Sequence, residues 1–208
     1  MTTVTASELT ELARVEAAGG TFNLVRVIDT GERVQVQIQF SSWRVCVFGA
    51  GHVGKAIVAV MSALPCVMTW IDAREAEFPA QVAANVRVVA SDSPADEVGA
   101  IAAGAQVLVL THSHALDLAI CFELLKRDDL AYCGLIGSAT KAETFRRRFL
   151  QRGFSETDAS RIICPIGDIS LHDKHPGVIA VGVAMDLTKR FQAHQLYRES
   201  HTLLGLIE

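Results

Sequence analysis

The stretch that most constrains this chain is Arg44 to Ala63, RVCVFGAGHVGKAIVAVMSA. Val45 to Phe48 is a short β-branched and aromatic run that reads as a buried strand. GAGHVG follows, setting Gly49, Gly51 and Gly54 in G-x-G-x-x-G spacing, and Val53, Ile57, Val60 and Met61 then fall at helical intervals. Strand, glycine turn and helix in that order predict a Rossmann-type unit. Gly49 lets the chain turn sharply, Gly51 lets a ligand approach the backbone, and Gly54 lets the helix pack close to the strand. The N–H groups of Gly51, His52 and Val53 at the helix start would face an anion, most naturally a phosphate. A bare glycine motif is weak evidence. Here Val67 to Ile71 adds a second strand ending in Asp72, and 72 − 51 is 21 residues, the place from which an acid holds a ribose hydroxyl. The competing reading is a tight βα turn that serves no ligand.

The 208 residues are 50% hydrophobic and 20% charged, enough to bury a full core in one main domain with at most a small appendage. A net charge of −4 provides no basic stripe, which argues against nucleic acid and anionic membrane as partners. The longest apolar runs, such as Val45 to Phe48 and Gln106 to Leu110, are strand-sized, and the start lacks a charged-then-apolar signal pattern, so the expected compartment is the cytoplasm. Five dispersed cysteines, Cys46, Cys66, Cys121, Cys133 and Cys164, contain no C-x-x-C pair and read as reduced core thiols.

At the start of the chain, Ser7 is a candidate cap for a helix with Leu9, Leu12, Ala13 and Val15 on its apolar face, ended by Gly19-Gly20. Phe22 to Ile28 and Val34 to Phe40 alternate about Asp29-Thr30-Gly31 as a hairpin. These elements are too small for an independent core, so residues 1–42 are expected to form a small N-terminal helix-plus-hairpin cap and residues 43–208 the main domain. Beyond Asp72, strands are expected at Val86 to Ala90, Gln106 to Leu110 and Ala131 to Ile136, with a helix opening at Ser93-Pro94 and others after Thr111 to Asp117 and after Gly137 to Lys141. Alternating strands and helices imply an α/β fold with a doubly wound, mostly parallel sheet and right-handed crossovers. Asp72, the histidine-rich loop and Gly137-Ser138 then converge on the glycine turn at one sheet edge. Toward the end, a helix is expected near Glu156, an apolar run at Ile162 to Cys164, and a final helix from Pro176 whose apolar pattern fades after about Ala193, leaving the last dozen residues less ordered or packed on a partner.

Thr111-His112-Ser113-His114 with Asp117 invites a metal reading, but the spacing misses the H-x-H-x-D-H pattern of metallo-β-lactamase-like hydrolases. No metal site is expected. Two readings stay open there: residues capping a strand-to-helix junction, or His and Ser donating hydrogen bonds to a heterocycle or phosphate. Arg146 to Arg148 reads as a solvated helix face. Cys133 and Cys164 look buried, and neither Ser113 nor Ser138 carries a signature that pairs it with an activating base, so no catalytic residue is expected.

GAGHVGKA, LPCVMTWIDAR, THSHALDLA, GLIGSATK with the following FRRRF, and CPIG followed by KHP-x-VIAV together resemble the C-terminal domain of the XdhC family, the xanthine dehydrogenase accessory proteins. The blocks run in order over roughly Arg44 to Leu187. The resemblance implies a Rossmann-like domain that binds molybdenum cofactor (molybdopterin) as cargo, protects it while it acquires its terminal sulfur, and delivers it to xanthine dehydrogenase, a step of purine catabolism. It implies a chaperone rather than a dehydrogenase, commonly a homodimer, with a cysteine desulfurase as a further partner. Family members usually carry a longer N-terminal domain with Gly-Ser-x-Pro-Arg and Gln-Cys-Cys-Gly-Gly blocks. Leu9 to Ile28 resembles only the opening of that domain, and both blocks are absent.

Molybdopterin presents a phosphate, a polar pterin edge and a reactive dithiolene, so its binder needs an anion site and hydrogen-bond donors. Gly51, His52 and Val53 supply backbone donors; Thr111, His112 and Ser113 face the pterin edge; Ser138 and Lys141 add a hydroxyl and a charge beside Gly137. Asp72 suits a ribose better than a phosphate. It keeps two alternatives open: an NAD(P)-dependent oxidoreductase, and a nucleotide-sensing Rossmann interaction module without turnover.

Overall fold

The computed structural model describes residues 5, 7–12, 20–27, 33–40, 43–167 and 173–204, with the backbone alone at 20–27, 33–40 and 196–204. The expected doubly wound sheet is present. Strands β1 (Gly20–Val27) and β2 (Arg33–Phe40) form an antiparallel pair, with Gly20 opposite Phe40 and Val27 opposite Arg33. The turn expected at 29–31 and the part of the expected N-terminal helix that falls on 13–19 lie outside the described residues. A separate six-stranded sheet contains β3 (Arg44–Phe48), β4 (Val67–Asp72), β5 (Val86–Ala90), β6 (Gln106–Val109), β7 (Tyr132–Leu135) and β8 (Ile162–Ile163) in the order β5-β4-β3-β6-β7-β8. Every pairing in it is parallel. The order reverses between β3 and β6, so the loops leaving these two strands diverge and open the crevice where doubly wound sheets bind ligands.

Besides a helical turn at residues 7–12, the described residues include α1 (His52–Met61), α2 (His114–Leu125), α3 (Ala139–Gln151), the single turn α4 (Glu156–Ala159) and α5 (Pro176–Leu204). Because successive strand residues point to opposite faces, β3 divides its side chains between two cores. Val45 and Val47 join Met68, Trp70, Ile57, Met61, Val183 and Leu187 under α1 and α5, while Cys46 and Phe48 join Ile71, Val107, Ile120, Leu124 and Phe149 under α2 and α3. Burial on both faces explains why β3 reads as a continuous apolar run rather than an alternating one. Inside the first core the Trp43 and Gln106 side chains are paired, whereas the buried Tyr132 hydroxyl has no hydrogen-bond partner among the described residues. Trp43 Nε1 donates to Gln106 Oε1 at 2.8 Å, and Gln106 Nε2 donates to the Leu187 carbonyl at 3.1 Å, tying β6 to α5. The Trp43 ring stacks on Phe191 at 4.8 Å.

Three local expectations are corrected. The N-terminal helical turn is capped by Thr5 rather than Ser7: Glu8 N donates to Thr5 Oγ1 at 3.3 Å while the Glu8 carboxylate accepts from Thr5 N at 2.8 Å. Leu9 of this turn is 54% exposed. The helix expected from Ser93-Pro94 is only a 3-10 turn, Asp96–Ala100, since Gly99 weakens continuation and few residues remain before β6. The final helix runs past Ala193 to Leu204, carried by good helix formers such as Gln, Arg and Glu rather than by an apolar stripe. Among the described residues no helix is long and apolar enough to cross a membrane.

Candidate functional site

The three glycines of the turn meet different surroundings. Gly49 has φ +121°, and a Cβ there would lie 2.3 Å from the Leu110 carbonyl oxygen; at Gly54 it would lie 2.0 Å from the Gly49 oxygen. The fold itself demands glycine at both positions. At Gly51 a Cβ would meet nothing within 4 Å, and φ −71° suits any residue. Space, not strain, surrounds Gly51. It is the N-cap of α1, which has no side-chain cap and no acidic residue in its first turn. The first amides of a helix have no partners within it, so these point out over the sheet edge with the positive end of the helix behind them.

Asp72 ends β4 at 3% exposure, and both its carboxylate oxygens are hydrogen-bonded within the protein. Oδ2 accepts from Ala50 N at 2.6 Å and Arg74 Nη2 at 3.0 Å; Oδ1 accepts from Arg74 N and Nε, each at 2.9 Å. Burial alone would raise this carboxyl's pKa, but the hydrogen bonds from Arg74 and from the Ala50 and Arg74 amides outweigh it and hold the carboxyl below its ordinary value. Asp72 therefore stays ionised, fixes the glycine turn from below, and is neutralised by the Arg74 fork.

The loops after β6 and β7 are joined by a buried network. Asp117, with no exposed surface, accepts from Thr111 N at 2.9 Å, Thr111 Oγ1 at 2.7 Å and Lys141 Nζ at 2.6 Å. Lys141 also donates to the Ile136 carbonyl at 2.8 Å, and its side chain is 10% exposed. Its ammonium faces inward. Ser113 accepts from Leu116 N and Ser138 from Lys141 N, each at 3.3 Å, so both serine hydroxyls cap helices. A Cβ on Gly137 would lie 2.7 Å from Lys141 Cδ and 3.0 Å from Cys164 Sγ. That glycine lets the β7 loop close over the lysine. His52, His112, His114, Gly137 and Ser138 are exposed along the edge and Val53 is half-buried.

The structure thus brings the three loops together through contacts the sequence did not display. Asp72 holds Ala50, Gly49 abuts Leu110 and Thr111, and Asp117 links Thr111 to Lys141. Asp117 and Arg74 were not on the expected site, yet Asp117 carries a readable signal. It is an acid on the same helical face as Cys121 and Leu124, all three buried, inside HALDLAICFELL. Among the described residues no group of three or more His, Cys, Asp or Glu side chains is arranged to hold a metal ion. Arg146 pairs with Glu143 and Glu156, and Arg147 with Glu143, as a solvated face would. Cys164 is half-buried rather than buried, the other four thiols are buried, and all five are free.

Clefts are also found away from this edge. One of about 290 Å³ sits at the amino ends of β3 to β5, where the 3-10 crossover covers the sheet thinly and Cys46, Thr69 and Arg87 form its lining. At the glycine turn the space in front of Gly51 is open, and the character of the turn comes from its donors.

Fold and site define a doubly wound α/β domain with a glycine turn, free of any side-chain cap, at the switch point of its sheet. The family model for the XdhC Rossmann domain matches residues 45–187, and the chain belongs to that family. Among solved structures, a Bacillus halodurans protein named xanthine dehydrogenase superposes with a TM-score of 0.62 at 21% identity, over 81% of this chain and 48% of its own. The likeness shows the fold, and this chain spans about half the length of that protein. No curated protein matches the chain.

Proposed function

We propose that this chain is an accessory protein of xanthine dehydrogenase maturation, and that it holds molybdenum cofactor as cargo at the glycine turn, shelters it and passes it to the enzyme without chemical turnover. The observation that carries this reading is Gly51. The fold leaves a side chain's worth of empty space there, over amides that no side chain caps, and a ligand phosphate needs that close approach. The terminal phosphate of the cargo lies on the amides of Gly51, His52 and Val53. Its pterin edge meets the exposed His112 and Ser138. Thr111, Ser113 and Lys141 act one step back, building the loops rather than touching cargo.

Holding suits these groups better than turnover. Both loop serines are spent as helix caps, and burial pushes the thiols of Cys46, Cys66 and Cys133 up to about 12, 11 and 11, far from a nucleophilic thiolate. A dinucleotide is favoured less, because the Asp72 carboxylate that would grip a ribose already serves Ala50 and Arg74. Xanthine dehydrogenase, a cysteine desulfurase and a second copy of the chain are the partners this role requires. The test reconstitutes apo-xanthine dehydrogenase with limiting molybdenum cofactor, with and without the protein. A rise in active enzyme supports the reading; equal activity in both samples, with no cofactor bound by the protein, contradicts it.

A further inference from the structure

Two cations beside the glycine turn share one carboxylate. Lys55 stands at the start of α1, its amide bonded to the Gly51 carbonyl at 2.9 Å, and Arg74 follows β4. Glu77 Oε2 accepts from Lys55 Nζ at 2.8 Å and Glu77 Oε1 from Arg74 Nη1 at 3.1 Å. The two cations are held in different ways. Arg74 is fixed through Nε and Nη2 by the buried Asp72, so Nη1 stays where it is whatever occupies the space in front of it. Glu77 belongs to a 3-10 turn, Glu75–Glu77, with no buried residue. Its side chain is 35% exposed, beside a Lys55 that is 42% exposed. Exposed ion pairs of this kind are weak and exchange readily. The two oxygens of Glu77 take positions that two phosphoryl oxygens would also satisfy, since a guanidinium and an ammonium recognise both groups and bind the more highly charged one more strongly.

We propose that Lys55 and Arg74 form an anion clamp beside the glycine turn, that Glu77 fills it as an internal stand-in, and that a phosphomonoester or pyrophosphate group enters by displacing Glu77. The clamp deepens the reading of the glycine turn as a ligand site and rests on it. It adds a specificity element: ligands without a phosphate leave Glu77 in place, whereas phosphate-bearing ligands release the 3-10 turn.

The test titrates inorganic pyrophosphate into the full chain at fixed low ionic strength. Glu77→Gln should bind about fivefold more tightly than the unmodified protein, because the competing charge is gone. Lys55→Ala should weaken binding, and most of the Glu77→Gln gain should vanish in a Lys55→Ala background. Glu75→Gln removes an exposed carboxylate of the same turn and should leave the affinity unchanged. A Glu77→Gln protein that binds no tighter, a Glu75→Gln protein that gains equally, or a gain that survives Lys55→Ala overturns the clamp. Molybdopterin retention by the unmodified protein and by Gly51→Val keeps the two ideas apart: retention that is lost in Gly51→Val while pyrophosphate ignores Glu77 rejects the clamp alone.

Discussion

Helix α1 and helices α2 and α3 all start at the same sheet edge, yet their first turns are finished differently. At α2 and α3 a serine caps each start, and Asp117 with Lys141 fills the space behind them with a buried ion pair. At α1 the cap is a glycine with no side chain to offer, and Asp72 takes only Ala50 N from below. Helix ends leave amides that something must satisfy. Where the chain itself supplies that partner, the end is structural; where it withholds one beside empty space, the end is available.

The contrast breaks most completely if the glycines that the fold requires are filled. Gly54→Ala or Gly49→Ala should cost more than about 3 kcal/mol, enough to lose soluble folded protein, because the new Cβ meets backbone oxygen that cannot step aside; thermal denaturation checks this. Next comes Asp117→Ala, which strands a buried ammonium and the Thr111 donors. It should cost about 3–5 kcal/mol in denaturant unfolding, while Asp117→Asn, which keeps the Thr111 bonds, should cost less. Removing a cap is milder. Ser138→Ala or Ser113→Ala should each cost about 1 kcal/mol, whereas Gly51→Ser, which supplies the missing cap, should not destabilise the fold.

The smallest effect concerns the thiols. Burial raises Cys46 to about 12 and Cys66 and Cys133 to about 11. The associated stability is present in full below the unfolded thiol's pKa of about 8.5 and is lost as pH rises through these folded values. Native protein at pH 8 should therefore leave these three thiols unreacted with a thiol reagent, and the half-buried Cys164 should react first. Rapid labelling of Cys46 would show that the core is looser than described.

Much of this was legible in the sequence because it depends on local spacing. The three glycines, the β-branched run before them and the strand-helix alternation specify the doubly wound sheet, and each strand from Arg44 onward falls where its apolar run lies. What stayed hidden depends on distance in space. Lys141 reads as a loop charge ready for phosphate, yet it turns inward to an aspartate 24 residues earlier in the chain. Asp72 reads as a ribose ligand from its position alone, and only the fold reveals that Arg74 and Ala50 occupy it. Ser93-Pro94 opens a helix by local rules, and the short crossover before β6 stops it. Local signals say which element forms. They do not say which polar groups find each other.

The most direct test is Gly51→Val. The site has room for the side chain and an ordinary backbone angle, so the protein should stay folded, with the change of N-cap residue costing about 1 kcal/mol in denaturant unfolding. Retention of molybdopterin after purification should disappear, because the valine fills the ground that a phosphate must approach. A folded Gly51→Val protein that retains molybdopterin as the unmodified chain does would contradict the glycine turn as the cargo site.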